Sequence, residues 1–352
     1  MSVPRPRILV IGAVVLVVVV GVVAWFVVRD DDEAGRLATA VAMAPGDAAR
    51  LGWTDWSRVR EELDRDLSET SPTTDVEDFL TAGFDADLTS VSALVASAPF
   101  LHERYGFSPA TIDWELFSQS EEGAIVLMGL PESLDIDQIE DALEELGYVE
   151  PDEPDGVWEG GHALLTQLGT LTQELAFITI DRERRVLASS DEIETVETWR
   201  DVERGDDVED GLTGVLDSVE GALSAAVYTG EHACAALAMT EADDTDRVRA
   251  AELLEQAGEV NPLRGFAIAG LPGGDVRVAM SFESEDQART NADTRRQLAA
   301  GPAPGQGGSF PERFELGDVV AEGEVVTMEL HPRRATYVLS DLANGPVLFA
   351  TC

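Results

Sequence analysis

The sequence contains no lysine; its 24 basic residues are all arginine. That removes two chemistries at once. A Schiff base needs a lysine amine, and a G-x-x-x-x-G-K-[ST] phosphate loop needs one to reach the phosphates. Histidine is scarce as well: His102, His162, His232 and His331 are scattered along the chain. Neither a G-x-S-x-G nucleophile elbow nor an H-E-x-x-H metal helix occurs. Basic charge is outnumbered by 68 acids, which leaves a formal net charge of -44 and a pI near 4.1. A nucleic-acid partner needs clustered cations. The densest cluster, "DRERRV" at 181–186, interleaves its own acids. No nucleic-acid partner is therefore expected, and no docking of the folded part through charge on anionic lipid. The acid excess favours hydration, solubility and a cloud of cations.

What is present supports a folded chain. Apolar residues make up 44% of 352, enough to build one large domain or two ordinary ones. One run stands apart. "ILVIGAVVLVVVVGVVAWFVV", Ile8 to Val28, carries no charge. It matches the roughly 20 residues a helix needs to cross the hydrocarbon layer. Valine is a poor helix former in water, but lipid forces the backbone to satisfy itself. Arg5 and Arg7 precede the run, and Arg29 followed by Asp30, Asp31, Asp32 and Glu33 closes it. The positive-inside rule then puts a short tail, 1–7, in the cytoplasm and the bulk of the chain outside. Trp25 falls where an interfacial belt would hold it. The rival is a cleaved signal peptide. "AMA" at 42–44 has the small-x-small form, yet it lies well past the run, beyond five consecutive charges. The reading adopted is an uncleaved anchor at 8–28, in contact with the bilayer, with a polar stalk over 29–40.

Structured chain is expected to begin with "VAMAPGDAARLGWTDW". Asp55 can cap a helix, and Trp56, Val59 and Leu63 share one helical face. Trp53 and Trp56 could anchor in the interface, but Asp55, Glu61, Glu62, Asp64 and Asp66 surround them. Packing into the folded domain is the expectation. "APGDAARLGWTDWSRVREEL" (44–63) and "YGFSPATIDWELF" (105–117) resemble recurring segments of actinobacterial membrane-anchored ectodomain proteins. The family has no assigned activity, so the resemblance implies a location just outside the membrane and no site residue.

The expected fold class is α+β. Residues 41–119 read as mainly helical: a helix near Asp75, a second over "ADLTSVSALVAS" (86–97), a third begun by Ser108 and Pro109. A first α+β unit is expected over 120–215. It holds a strand in "GAIVLMGLP" (123–131), a helix in "SLDIDQIEDALEELG" (133–147) that stops at Gly147, and an extended turn around Trp158. A hairpin in "ELAFITIDRERRVLASS" (174–190) and a helix in "DEIETVETWRD" complete it. A second unit, 216–352, is expected to carry a strand pair in "SAAVYTGEHACAALAM" (224–239) and a helix at 245–258. A strand–turn–strand–helix follows from Gly265, then a Pro/Gly loop at 301–312 and a strand at 324–332. "LMGLP" and "IAGLP" each end a strand, which points to a duplicated unit with a period of roughly 140 to 145 residues.

Cys234 and Cys352 are the only cysteines. Outside the membrane, in an oxidising compartment, they are the expected disulfide. "EHAC" offers Glu231, His232 and Cys234 as zinc ligands, but nothing supplies the remainder of a site. "DIDQIED" (135–141) and "EADDTDR" (241–247) lack the glycine and terminal glutamate of an EF-hand loop. Asp135 and Asp137 are better read as a helix N-terminus. No catalytic residue, metal or cofactor is therefore expected. The function expected is a non-catalytic envelope binding, assembly or scaffolding protein with an envelope protein as partner. The alternatives are a carboxylate hydrolase and a small-molecule or lipid receptor.

Overall fold

The computed structural model describes residues 35–169, 171–201, 208, 211–239 and 242–352. The expected tail and membrane span, 1–28, lie outside the described residues. Among the described residues no helix is long and apolar enough to cross a membrane.

Among the described residues, eleven strands form one sheet: β1 (Arg50–Thr54), β2 (Trp114–Gln119), β3 (Ala124–Gly129), β4 (Trp158–Glu159), β5 (Phe177–Asp181), β6 (Val186–Ser190), β7 (Ser224–Thr229), β8 (Gly265–Gly270), β9 (Val276–Ser281), β10 (Phe314–Glu322) and β11 (Val325–Pro332). Their order is β10-β11-β9-β8-β7-β1-β2-β3-β6-β5-β4, and every neighbouring pair is antiparallel. The fold is α+β. Read outward from the central β1–β7 pair, the order repeats: β1-β2-β3-β6-β5 on one side, β7-β8-β9-β11-β10 on the other. Strand β2 thus answers to β8 and β3 to β9. "LMGLP" ends β3 whereas "IAGLP" ends β8. The two phrases fall on strands that are not equivalent, so they do not mark the repeat.

Among the described residues, thirteen α-helices cover the sheet: α1 (Arg36–Ala42), α2 (Trp56–Glu62), α3 (Thr73–Asp85), α4 (Ala98–Arg104), α5 (Ile136–Leu146), α6 (Gly161–Leu168), α7 (Ile193–Asp201), α8 (Thr213–Ser218), α9 (Gly230–Ala236), α10 (Asp244–Ala257), α11 (Glu285–Ala299), α12 (Phe310–Arg313) and α13 (Val338–Leu342). Alternation along the strands sends side chains to two faces. Ala226, Phe266, Val278 and Met328 meet α9–α13 in one core. Val126, Met128, Ile178 and Leu187 meet α2–α6 in a second. On the opposite face, Leu51, Trp53, Leu127, Val227 and Ala267 pack under α1, α7 and α8. Central strands buried on both faces carry almost no polar alternation.

Several expected elements form as read. Helix α5 starts at Asp135, whose side chain accepts the Asp137 N–H, and ends at Gly147 in a left-handed conformation, φ 100°. Asp55 caps α2 through the Arg58 N–H. Others do not. Residues 36–42 are a helix whose Leu37, Ala40 and Val41 are buried, so the expected stalk is folded from Arg36 onward. The stretch 41–119 carries α2, α3 and α4, and it also contributes β1 and β2 to the sheet centre. Ser108 and Pro109 do begin a turn: Ile112 N–H reaches Ser108 O at 2.9 Å. The chain then straightens because Asp113 N–H is taken by Gly129 O at 2.8 Å, the first bond toward β3. Residues 86–97 form turns. Asp87 sits at φ 59°, and the Ala93 N–H is taken by Glu115 at 2.6 Å, so the helical ladder never starts. "SAAVYTGEHACAALAM" is one strand followed by α9, not a strand pair. The 301–312 loop is half buried: Ala303 and Phe310 are in the core, and Arg313 grips Gln306 O at 2.7 Å.

Candidate functional site

The antiparallel register gathers Thr54, Trp114, Gly129, Ser224, Gly270 and Leu330 at one end of the sheet. This is called the Thr54 end; Arg50, Gln119 and Gly265 mark the other. Residues 44–63 and 105–117 meet here, on β1 and β2, with Trp53 opposite Leu116 and Thr54 opposite Glu115. Trp53 stacks on Trp114 with centroids 5.8 Å apart and donates to Ala222 O at 3.2 Å. Trp56 is fully buried and donates to Glu115 Oε2 at 2.9 Å. Both tryptophans are packed inside the folded domain.

Glu115 is a carboxylate with no exposure. Besides Trp56 it accepts from Ser92 Oγ at 2.7 Å and from the Ala93 N–H. Burial raises its pKa above the ordinary 4.5, and the donors oppose that rise. Its folded value therefore exceeds its unfolded one. The stability it contributes is complete below the unfolded value and is lost as pH climbs through the folded one. Urea midpoints are expected to rise as pH falls from neutrality toward 4.5. Glu115→Gln should flatten that slope and cost about 1–3 kcal/mol at neutral pH, because an amide N–H then faces a donor. Asp87 and Asp113, also raised by burial, keep a residual slope.

Around Asp113 lies a mixed set of charges. Arg36 reaches Asp55 at 3.3 Å and Ser57 Oγ at 2.8 Å. Arg60 is held by Pro109 O and Ile112 O at 2.8 and 2.9 Å. Arg185 grips Leu130 O at 3.2 Å and also Pro131 O. Burial raises the Asp113 pKa first; Arg36, Arg60 and Arg185 pull it down and Asp55 pushes it up. Asp113 and Asp55 are thus two neighbouring carboxylates in different states of satisfaction. Asp55 is spent on the α2 cap and on Arg36.

A second feature lies where the halves of the sheet meet. Asp87 caps α13 from across the fold, accepting from Leu339 N–H at 2.6 Å and Ser340 N–H at 3.1 Å. Beside it is a depression of about 60 Å³ lined by Asp85, Gly270, Asp275, Pro332 and Thr336. Exposed Phe84 lies against Tyr337, centroids 5.3 Å apart, at the same place. Wider clefts lie elsewhere and are lined by charge: one of about 380 Å³ by Asp181, Arg182, Arg184 and Arg200, and one of about 490 Å³ by Arg264, Glu283 and Glu324.

The residues weighed for chemistry stay apart. Cys234 and Cys352 are disulfide-bonded, Cα–Cα 5.4 Å. The Cys234 sulfur is thereby unavailable as a thiolate beside His232, whose ring stacks on Tyr228. His102 contacts Ser108 and Ser71 O, His162 contacts Gln173, and His331 pairs with Asp275 at 2.8 Å. Asp137 pairs with Arg182, and Asp243 caps α10 through Asp246 N–H. Among the described residues no group of three or more His, Cys, Asp or Glu is arranged to hold a metal ion. No local pattern marked Asp87, Asp113 or Glu115, because their partners are distant in the chain. Comparison of the chain with protein-family models, curated proteins and solved structures returned no match.

Proposed function

We propose that the protein is a single-pass membrane protein, anchored by residues 8–28, whose acidic α+β ectodomain is a non-catalytic binding, assembly or scaffolding module of the cell envelope. The observation that carries this reading is how the water-shielded ionisable groups are used. Glu115 and Arg295, both fully buried, are each consumed by bonds that join one part of the fold to another. Groups kept for catalysis are instead held poised toward a cleft. The charge-free run from Ile8 to Val28 supports the anchor and the outward placement. The resemblance of 44–63 and 105–117 to actinobacterial ectodomain proteins agrees with that location. The repeated strand order supports descent of the two halves from one duplicated unit.

The test is cross-linking of tagged full-length protein in native membranes, followed by mass spectrometry. A stoichiometric envelope protein is the expected result; no partner above background would overturn it. The carboxylate-hydrolase reading has one observation in its favour, the Asp113–Asp55 neighbourhood. Asp113→Asn should leave every envelope phenotype unchanged if the module is non-catalytic. Turnover of a wall fragment that this variant abolishes would favour the hydrolase.

A further inference from the structure

We infer that the Thr54 end of the sheet faces the bilayer and that Phe84 and Tyr337 sit against the lipid headgroups. The inference rests on the membrane-anchored reading and adds an orientation and a contact surface to it. It starts from where the folded chain begins. Helix α1 opens at Arg36, and Arg36 is bonded to Asp55 and Ser57 just beyond the Thr54 terminus of β1. Leu37, Ala40 and Val41 fix α1 onto the sheet, so the chain enters at one defined place. Only residues 29–35 separate Val28 from Arg36. At full extension those steps span at most about 28 Å. Strands of five or six residues add roughly 20 Å to reach the opposite end. The tether attaches at the Thr54 end and brings it within reach of the membrane; the Arg50 end lies a strand length from that attachment.

The surface at the near end suits that placement. Phe84 is 57% exposed and rests on half-buried Tyr337. Arg333 and Arg334, both exposed, belong to the same turn as Tyr337. Exposed aromatic rings favour the interfacial zone, where the ring contacts acyl chains, and an exposed arginine on the same loop can reach phosphate. Of the acids close by, Asp87 is committed to the α13 N-terminus and Asp341 pairs with Arg313, whereas Asp85, next to Phe84, is exposed. At the far end an apolar side chain of similar exposure, Val149 at 64%, pairs with Glu159 beside the start of β5. It has no aromatic partner among the contacts described.

The test uses full-length protein in phosphatidylcholine nanodiscs. Phe84→Cys and Val149→Cys are made separately and labelled with the environment-sensitive dye NBD; the native cysteines are paired and do not react. Nitroxide-bearing phosphatidylcholine is the quencher. Quenching at position 84 at least twofold greater than at 149, with blue-shifted emission, is expected. Equal quenching overturns the orientation. Extraction with alkaline carbonate is run on the same preparation. Protein that stays in the membrane while quenching is equal overturns the orientation alone. Protein released by carbonate overturns the anchor, and the orientation with it.

Discussion

Arg295→Met is expected to lower the unfolding free energy by about 3–5 kcal/mol, a loss on the scale of breaking a buried charged pair. Arg295 is fully buried on α11. Its guanidinium donates to Asn291 Oδ1 at 3.2 Å, Phe349 O at 2.7 Å, Asn261 O at 2.8 Å and also to Thr351 O. The Phe282 ring lies 5.8 Å from it. Burial lowers its pKa to about 9, so the group still carries its charge at neutral pH. Methionine fills much of the volume but removes the donor from the Phe349, Thr351 and Asn261 carbonyls, at about 1–3 kcal/mol for each one that water cannot reach. Arg295→Lys should recover less than half of the loss, because a point-like ammonium cannot span acceptors that a planar fork reaches. Urea denaturation followed by tryptophan fluorescence measures both. A loss below 1 kcal/mol for Arg295→Met would show that the C-terminal segment does not depend on this clamp.

Reduction of the Cys234–Cys352 disulfide should cost a comparable amount. The bond closes a loop with a sequence separation of 118, for which the chain-entropy account gives about 4–5 kcal/mol. Cys234 lies on α9 and Cys352 is the last residue of the sequence. The residues just before it, Leu348, Phe349 and Ala350, are buried in the core of the second half. Dithiothreitol should lower the urea midpoint of the native protein. It should leave the Cys234→Ser/Cys352→Ser variant, already shifted, unchanged. Because the disulfide and Arg295 hold the same segment, combining their loss should cost less than the sum of the two. Exact additivity would mean that the two attachments act on separate parts of the fold.

How much of this was legible in the residues depends on the distance over which each element is decided. Helix α5 has its cap, apolar face and glycine stop within 136–147 and its flanking Asp135. The β5–β6 hairpin carries its own turn. Strand β3 is an apolar run bounded by Gly and Pro. Each of these was readable, as was the pairing of the two cysteines, since two thiols permit one bond. Strands β1 and β2 were not. Their backbone groups are satisfied by β7 and β3, and nothing inside "RLGWT" or "WELFSQ" announces those partners. The false helix at 86–97 has the same origin: its spacing is helical, but Glu115 claims its backbone donor.

Arg295 and Arg296 are adjacent and chemically alike, yet one is a buried clamp and the other pairs with Asp293 at the surface. Helical phase places 295 on the face of Ala288, Ala292 and Ala299, but three of its acceptors, Phe349 O, Thr351 O and Asn261 O, come from segments distant in the chain. Asp87 is likewise an ordinary loop aspartate until α13 presents two N–H groups to it. The sequence by itself determined the charge balance, the exclusion of lysine chemistry, the apolar run at 8–28 and the locally capped elements. Composition and short-range periodicity act within a few residues, and they suffice for those. The order of eleven strands, the repeat about β1 and β7, and the assignment of each buried charge came only from the tertiary structure, because each is a bond between segments that the chain keeps far apart.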